Sequence, residues 1–215
     1  AKLRDQYIQQ LGIYGGRIAT TPSSGGVLMV LRFLASGSLT DLTFEGLGYS
    51  QEQCRQLEAW ARNSKGGLHL LTGSTGAGKS TTLRAFANLV LKINNYRINL
   101  MTFEEPIEGD IPGAVQTPVE IKADATEDEI DAEWNAALRQ GMRLDPDWAI
   151  PGELRDKSAS MACINFAMTG HGTASSLHTE SWERSFDRMN EFGVPKYLLA
   201  DAGIMKGLAN QSLGK

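Results

Sequence analysis

The chain has 215 residues, 41% of them hydrophobic and 21% charged, and its formal net charge at pH 7 is -4. These values predict one large globular domain, or one domain plus a fragment, with a sizeable core. No apolar run approaches the roughly 18 residues of a membrane span, and we do not expect the polar start Ala1–Gln10 to be a signal peptide. The acidic balance argues against a broad nucleic-acid-binding surface.

The first half of the chain is predicted to alternate between strands and helices. Val27–Leu34 is a continuous β-prone run after the turn-forming segment Pro22–Gly26, so we expect a strand there. Thr40–Tyr49 contains two glycines and is predicted to be a linker. Helical spacing of apolar residues then predicts helices over Gln51–Arg62 and Ser80–Lys92, with the short buried strand Leu68–Thr72 between them.

The second half continues the alternation after a long irregular segment. Glu104–Val119 contains three prolines and two glycines and is predicted to be mostly loop. Thr126 and Glu129 form a capping-box pattern that predicts a helix start. Strands that alternate with crossover helices indicate a mainly parallel sheet covered on both faces. The remaining predicted strands are Arg97–Phe103, Trp148–Ile150 and Thr173–Leu177, and the remaining predicted helices are Ser158–Met168, Ser181–Phe192 and Tyr197–Gly207.

The cysteines and one histidine are predicted to be structural. Cys54 and Cys163 lie far apart without a metal-binding spacing, so we expect free, core-facing thiols in a reducing cytosol and no zinc cluster. His69 lies inside a predicted strand, where we expect a packing role.

Residues Gly73–Ser80, here called the P-loop, fit the pattern G-x-x-x-x-G-K-[ST] between a predicted strand and a predicted helix. The glycines allow backbone N–H groups to point at phosphate oxygens, and the helix adds the positive end of its dipole. We expect Lys79 to reach the β- and γ-phosphates, Ser80 to ligate magnesium and Thr81 to touch the α-phosphate. The predicted phosphate-binding residues are Gly73, Ser74, Thr75, Gly76, Ala77, Gly78, Lys79, Ser80 and Thr81.

Three further segments follow the P-loop in an order that resembles one family. They are the acidic box Thr102–Glu108, the Walker B region with Asp145–Asp147 and Gly152–Asp156, and a histidine box with Thr169–His171 and Leu177–Thr179. Together with the P-loop they resemble the secretion ATPase superfamily. That superfamily powers type II and type IV secretion, type IV pilus assembly and retraction, and conjugation. The resemblance runs from about Val27 to the C-terminus.

The resemblance implies a fold, cofactors and partners. The fold is α/β, a RecA-like P-loop ATPase core with a mainly parallel sheet flanked by helices, plus a remnant of an N-terminal domain. Residues 1–40 would belong to that domain, 41–50 to a linker and 51–215 to the C-terminal ATPase domain. ATP and Mg2+ are the implied cofactors. A homohexamer, an inner-membrane platform protein and a cytoplasmic location peripheral to the inner membrane are implied, without direct nucleic-acid binding or zinc.

The resemblance also implies roles for five residues outside the P-loop. Glu153 would be the Walker B glutamate that, with the P-loop serine, holds the magnesium shell, and Glu104 would polarise the attacking water. His171 and His178 would sense the nucleotide state or lie near the γ-phosphate. Arg32 would reach the nucleotide from the N-terminal domain, often that of an adjacent subunit. From the residues alone, surface acids, structural histidines and solvated arginines stay open as alternatives.

Several positions depart from the family pattern and leave the function open. Pro151 should end its strand early, Thr173–Ser176 is unusually small and polar, Glu105 stands where aspartate is usual, and Ser212 stands where arginine is frequent. These departures affect the expected hydrolysis more than nucleotide binding. The leading hypothesis is therefore a motor ATPase, and the alternative is a nucleotide-binding regulatory subunit with little turnover. A small-molecule kinase and a DNA translocase are less favoured.

Overall fold

The computed structural model describes residues 13–35, 42–62, 66–122 and 124–213, with the backbone alone for 13–19 and 32–35. Residues 1–12 of the expected N-terminal domain, and the start of the predicted linker at Thr40, lie outside the described residues. The elements, in chain order, are β1 Ile13–Ser23, β2 Gly26–Ala35, α1 Gln51–Ala61, β3 Gly67–Gly73, α2 Lys79–Ile93, β4 Leu100–Glu104, β5 Val115–Pro118, α3 Glu127–Met142, β6 Trp148–Pro151, α4 Lys157–Met168, β7 Gly172–His178, α5 Trp182–Glu191, α6 Lys196–Leu199 and β8 Met205–Asn210.

The described residues form two sheets. Six parallel strands pair in the order β5-β4-β6-β7-β3-β8, which confirms the predicted parallel sheet. Because all six strands run the same way, their carboxyl ends meet at one edge, the usual ligand edge of an open α/β sheet. The second sheet is the antiparallel hairpin β1–β2.

Alternate residues of the six-stranded sheet enter two hydrophobic clusters, as its strand period requires. Leu70 and Phe103 pack into the cluster that includes Trp134 of α3 and residues of α4 and α5. Leu71 and Leu100 pack into the other cluster, with residues of α1 and α2. The helices therefore cover both faces, and β3, an interior strand of the sheet, is buried along its whole length. In the described part of the chain, no helix is long and apolar enough to cross a membrane.

The hairpin β1–β2 confirms one predicted strand and adds one that the sequence did not reveal. Ser23 pairs with Gly26 across a two-residue turn, and Gly26 has a φ of 125° that only glycine adopts readily. The apolar run Val27–Leu31 is exposed along its length, with fractional exposures between 46% and 71%. β1 escaped prediction because glycines and Pro22 interrupt its pattern.

In the second half of the chain, one prediction missed a strand and another was wrong. Glu104–Val119 is mostly loop as predicted, but Val115–Pro118 within it forms the edge strand β5, where the proline is tolerated at the end of the ladder. The predicted helix Tyr197–Gly207 is a four-residue helix followed by β8, which pairs with β3. A turn separates the two, in which Asp201 Oδ1 accepts a 2.7 Å hydrogen bond from the Gly203 N–H.

His69 and the thiols were expected to pack in the core. His69 is 1% exposed, and its ring lies beside Trp60, Phe86 and Trp148. Nδ1 donates to the Thr173 carbonyl at 3.3 Å, whereas Nε2 is buried without a hydrogen-bond partner among the described residues. Burial lowers the pKa of His69 to about 4. His69 therefore packs as a neutral ring. Of the two thiols, Cys163 is buried as predicted, but Cys54 is only partly buried.

The low pKa of His69 predicts acid sensitivity of the fold. A histidine that is neutral when folded takes up a proton near its ordinary pKa of about 6.5 on unfolding. Its contribution to stability is complete above pH 6.5 and is lost as the pH falls towards 4. Protonation of His69 in the unfolded chain should therefore lower the free energy of unfolding by about 2 kcal/mol between pH 7 and 4.5. Urea unfolding of wild type and His69→Phe at both pH values measures this difference, and identical pH dependence would contradict it.

Candidate active site

The P-loop joins the carboxyl end of β3 to α2, as predicted. Gly78 immediately precedes α2 with a φ of 85°, a left-handed conformation that favours glycine. A Cβ on Gly73 would lie 2.3 Å from the Gln211 carbonyl oxygen, so the backbone of the C-terminal segment closes directly on the loop. Both glycines are therefore fixed by local geometry.

Gln211, which sequence analysis did not single out, fastens the segment after β8 to the P-loop. Its backbone N–H donates to the Thr72 carbonyl at 2.7 Å, and its Nε2 donates to the Ala77 carbonyl at 2.6 Å. One bond is to the residue that precedes the loop and the other is to a residue within it. No local sequence pattern could reveal them, because the partners are more than 130 residues apart in the chain.

Lys79 is 5% exposed, and its ammonium group lies inside the curve of the loop. Nζ donates to the carbonyls of Gly73 at 2.9 Å and Ser74 at 2.8 Å, and it contacts His178 Nδ1 at 3.1 Å. Burial lowers the pKa of Lys79, while the nearby charge of Glu153 acts in the opposite direction. The cation is thus held at the place where the sequence predicts phosphates.

His178 connects the P-loop to the predicted Walker B acid. Since the Lys79 ammonium can only donate, Nδ1 is the acceptor and the neutral ring carries its proton on Nε2. Nε2 then donates to Glu153 Oε1 at 3.1 Å. The other oxygen of Glu153 accepts from Arg155 Nε at 3.1 Å. A continuous polar chain therefore runs from the P-loop lysine to Arg155.

The unusual residues Pro151, Ser175 and Ser176 acquire a structural explanation here. β6 ends at Pro151 and pairs with β7 only through Trp148 and Ala149. Beyond that point the Ser175 hydroxyl donates to the Pro151 carbonyl at 2.7 Å, and the Ser176 hydroxyl donates to the Gly152 carbonyl at 2.8 Å. Small polar side chains thus replace the missing ladder and direct the chain towards Glu153.

Glu104 ends β4 and is held by several donors. Its Oε1 accepts from Thr102 Oγ1 at 2.7 Å and from Gln116 Nε2 at 3.0 Å. Its Oε2 lies 3.7 Å from Arg84, which also lies 3.4 Å from Glu108. Arg84 and Gln116 were missed because one sits in an amphipathic helix and the other in a segment predicted as loop.

A cavity of about 520 Å³ brings most of the predicted site residues together. The hydroxyl and carboxylate oxygens that line the cavity suit Mg2+, which takes oxygen ligands. Of the described lining residues, Ser80 and Glu153 are the predicted metal ligands, and Glu104 and Glu105 lie on the same cavity. The predicted phosphate and catalytic residues that line it are Thr75, Gly76, Gly78, Lys79, Ser80, Thr81, Glu104, Glu153 and His178.

Of the two histidines given roles in the sequence analysis, His178 lines this cavity and His171 does not. It precedes β7, whereas His178 ends that strand. Seven strand residues at about 3.3 Å each place the two roughly 20 Å apart, at opposite edges of the sheet. His171 Nδ1 instead contacts Thr169 Oγ1 at 2.8 Å, and its ring meets Phe166 edge-on. Arg32 lies in β2 opposite Arg17, and only its backbone is described.

A P-loop at the carboxyl end of an interior parallel strand, with acids at the same edge of the sheet, defines the P-loop class of α/β proteins. Residues 8–215 match the model of the family described as Type II/IV secretion system protein, and the chain belongs to that family. It is 36% identical over 184 residues to the type II secretion system protein E of Dickeya dadantii, covering 86% of this chain and 34% of that protein. The type IV pilus assembly ATPase PilB of Pseudomonas aeruginosa is 34% identical over 184 residues, covering 86% of this chain and 30% of PilB.

Solved structures share the RecA-like fold. The pilus retraction motor PilT, determined with bound ADP, has a TM-score of 0.67 and 25% identity, covering 97% of this chain and 61% of PilT. The Legionella pneumophila ATPase DotB has a TM-score of 0.59 and 21% identity, covering 87% of this chain and 49% of DotB. The chain spans about a third of the length of the curated relatives it matches.

Proposed function

We propose that the chain is the ATP-hydrolysing part of a motor subunit of a type IV secretion, type IV pilus or conjugation-type machine. The observation that carries the proposal is the contact chain from Lys79 through His178 to Glu153. It joins a phosphate-binding loop to an acid at the sheet edge within one cavity. A loop that only held a phosphate would not require Glu153 beside it.

Phosphate binding follows from the donors of the loop. The contacts of the Lys79 ammonium with the Gly73 and Ser74 carbonyls and with the His178 ring are all to neutral acceptors. Charged phosphate oxygens form stronger hydrogen bonds with an ammonium than neutral acceptors do. The β- and γ-phosphates of ATP would therefore displace these contacts. The first N–H groups of α2 add further donors at its positive end.

The oxygen ligands for magnesium would come from Ser80 and, directly or through water, from Glu153, both of which line the cavity. Magnesium supplies charge neutralisation for the phosphates when bound. Glu153 already has two hydrogen-bond partners. His178 and Arg155 hold its carboxylate in place. This fixed orientation is what a metal-shell acid needs.

Glu104 is the proposed group that orients and polarises the attacking water. Its carboxylate lines the same cavity and is held by Thr102, Gln116 and Arg84. His178 would report the occupancy of the loop to Glu153, because it contacts both. The roles of Glu104, Glu153 and His178 are therefore complementary: one acts on water, one on the metal shell and one between them.

The assembly is a further part of the proposal. The relatives are components of secretion and pilus machines, and this supports a homohexameric ring at the cytoplasmic side of the inner membrane that drives a platform protein. Residues 1–40 would be part of an N-terminal domain, 41–50 a linker and 51–215 the ATPase domain. Arg32 would then reach the nucleotide across a subunit boundary.

Turnover of Mg–ATP by the purified chain tests the motor function. Wild type should release phosphate, and Glu153→Gln should reduce kcat about 100-fold or more, as expected for loss of a fixed charge at the reacting phosphate. The exposed Glu183→Gln, in the first turn of α5, is the control and should leave kcat unchanged. Equally slow hydrolysis by wild type and Glu153→Gln would sink the motor function and favour the nucleotide-binding regulatory subunit.

A further inference from the structure

Gln116, in the edge strand β5, makes an unusually complete set of hydrogen bonds. Its Nε2 donates to Glu104 Oε1 at 3.0 Å and to the Gly109 carbonyl at 2.9 Å. Its Oε1 accepts from the Ile111 N–H at 2.8 Å. A single amide thus contacts the carboxylate at the end of β4 and two points of the irregular segment between β4 and β5.

Arg84 constrains the same carboxylate from the other side. Its side chain is 10% exposed, and the guanidinium lies 3.7 Å from Glu104 and 3.4 Å from Glu108. A buried arginine is stable only when its charge is compensated, and here two acids compensate it. One oxygen of Glu104 is therefore fixed by hydrogen bonds and the other by an ion pair.

We propose that Gln116, with Arg84, is a positioning residue that sets the orientation of the Glu104 carboxylate towards the cavity. The inference rests on the proposed role of Glu104 in orienting water. Gln116 touches no phosphate-binding residue in the contacts above, so it acts through Glu104. Its bonds to Gly109 and Ile111 further make this orientation depend on the conformation of residues 105–114.

Two substitutions at position 116 separate this role from a purely structural one. Gln116→Met keeps the length of the side chain but removes every hydrogen bond of the amide. Gln116→Glu keeps an acceptor for the Ile111 N–H, but it replaces the donor to Glu104 with a second carboxylate. A displaced catalytic group commonly costs about 10- to 100-fold in rate. Both variants should therefore lower kcat by about that factor, with the dissociation constant of a non-hydrolysable ATP analogue unchanged.

Gln56→Met is the matched control, because Gln56 also donates to a carboxylate, that of Glu52 at 3.2 Å, on an exposed helix surface. It should keep the wild-type kcat. Wild-type kcat in Gln116→Met would overturn the inference, and so would a Gln116→Glu variant with normal kcat, since the structural bond to Ile111 alone would then suffice. Glu104→Gln, measured in parallel, tests the proposed function separately: if it turns over like wild type, the role of Glu104 fails first and the inference fails with it.

Discussion

Replacing Lys79 with alanine is expected to weaken binding of a non-hydrolysable Mg–ATP analogue by about 100-fold or more and to abolish measurable turnover. The cavity is lined by Glu104, Glu105, Glu108 and Glu153, which repel a polyphosphate. Arg84 and Arg155 are each within 4 Å of two of these acids. Lys79 instead contacts neutral acceptors, so its ammonium can donate to phosphate oxygens. Each charge-assisted hydrogen bond to phosphate that the alanine variant loses costs about 1.5–3 kcal/mol. Isothermal titration of the purified variant measures the loss.

Lys92→Ala provides the control for Lys79→Ala. Lys92 lies in the last turn of the same helix α2 and is exposed there, so its removal changes the net charge equally without touching the cavity. Its affinity for the analogue should stay within about 2-fold of wild type, because exposed charges far from a site are screened. Similar losses in both variants would show that the net charge, rather than the position of Lys79, governs binding.

The position of the P-loop between a strand and a helix could be predicted because its determinants are local. Gly78 adopts a left-handed conformation, and Lys79 follows it at the start of a helix whose apolar spacing is plain in the sequence. The capping box of Thr126 and Glu129 is local in the same way and is present as predicted. The geometry of such features is determined by residues within one turn or one helix, so it can be predicted without knowing the rest of the fold.

The residues that orient the site were less predictable, because their partners are distant in the chain. Gln211 reaches the P-loop only after β8 has paired with β3, and β8 itself lies partly in a segment with helical spacing. Ser175 and Ser176 depart from the family pattern, and their role depends on a β6–β7 ladder that ends before Pro151. Sequence periodicity predicts which face is buried, but it does not predict which strands meet.

The histidine box could be placed by a strand that the sequence predicts. His171 precedes β7 and His178 ends it, so the direction of the strand assigns only His178 to the carboxyl edge where the P-loop lies. The predicted strand Thr173–Leu177 already separates the two rings, because an extended segment keeps its ends apart.

Replacing Glu104 with glutamine is expected to lower kcat by about 100- to 10,000-fold, the range typical for loss of a general base. Glutamine is nearly isosteric, and its carbonyl oxygen can still accept from Thr102 and Gln116. Affinity for the ATP analogue should therefore stay close to that of wild type. Single-turnover kinetics with saturating Mg–ATP separate this chemical defect from one in binding.

The neighbouring substitution Glu105→Gln discriminates between the two acids that follow each other at the end of β4. Glu105 lies 3.4 Å from Arg155, on the far side of the contact chain that ends at Glu153. Its loss should reduce kcat less than about 10-fold, since Arg155 keeps its bond to Glu153 and an exposed ion pair contributes little. If Glu105→Gln were instead the more damaging variant, Glu105 would be the group that acts on water. The hydrogen bonds from Thr102 and Gln116 would then serve the fold of residues 105–114 rather than the reaction.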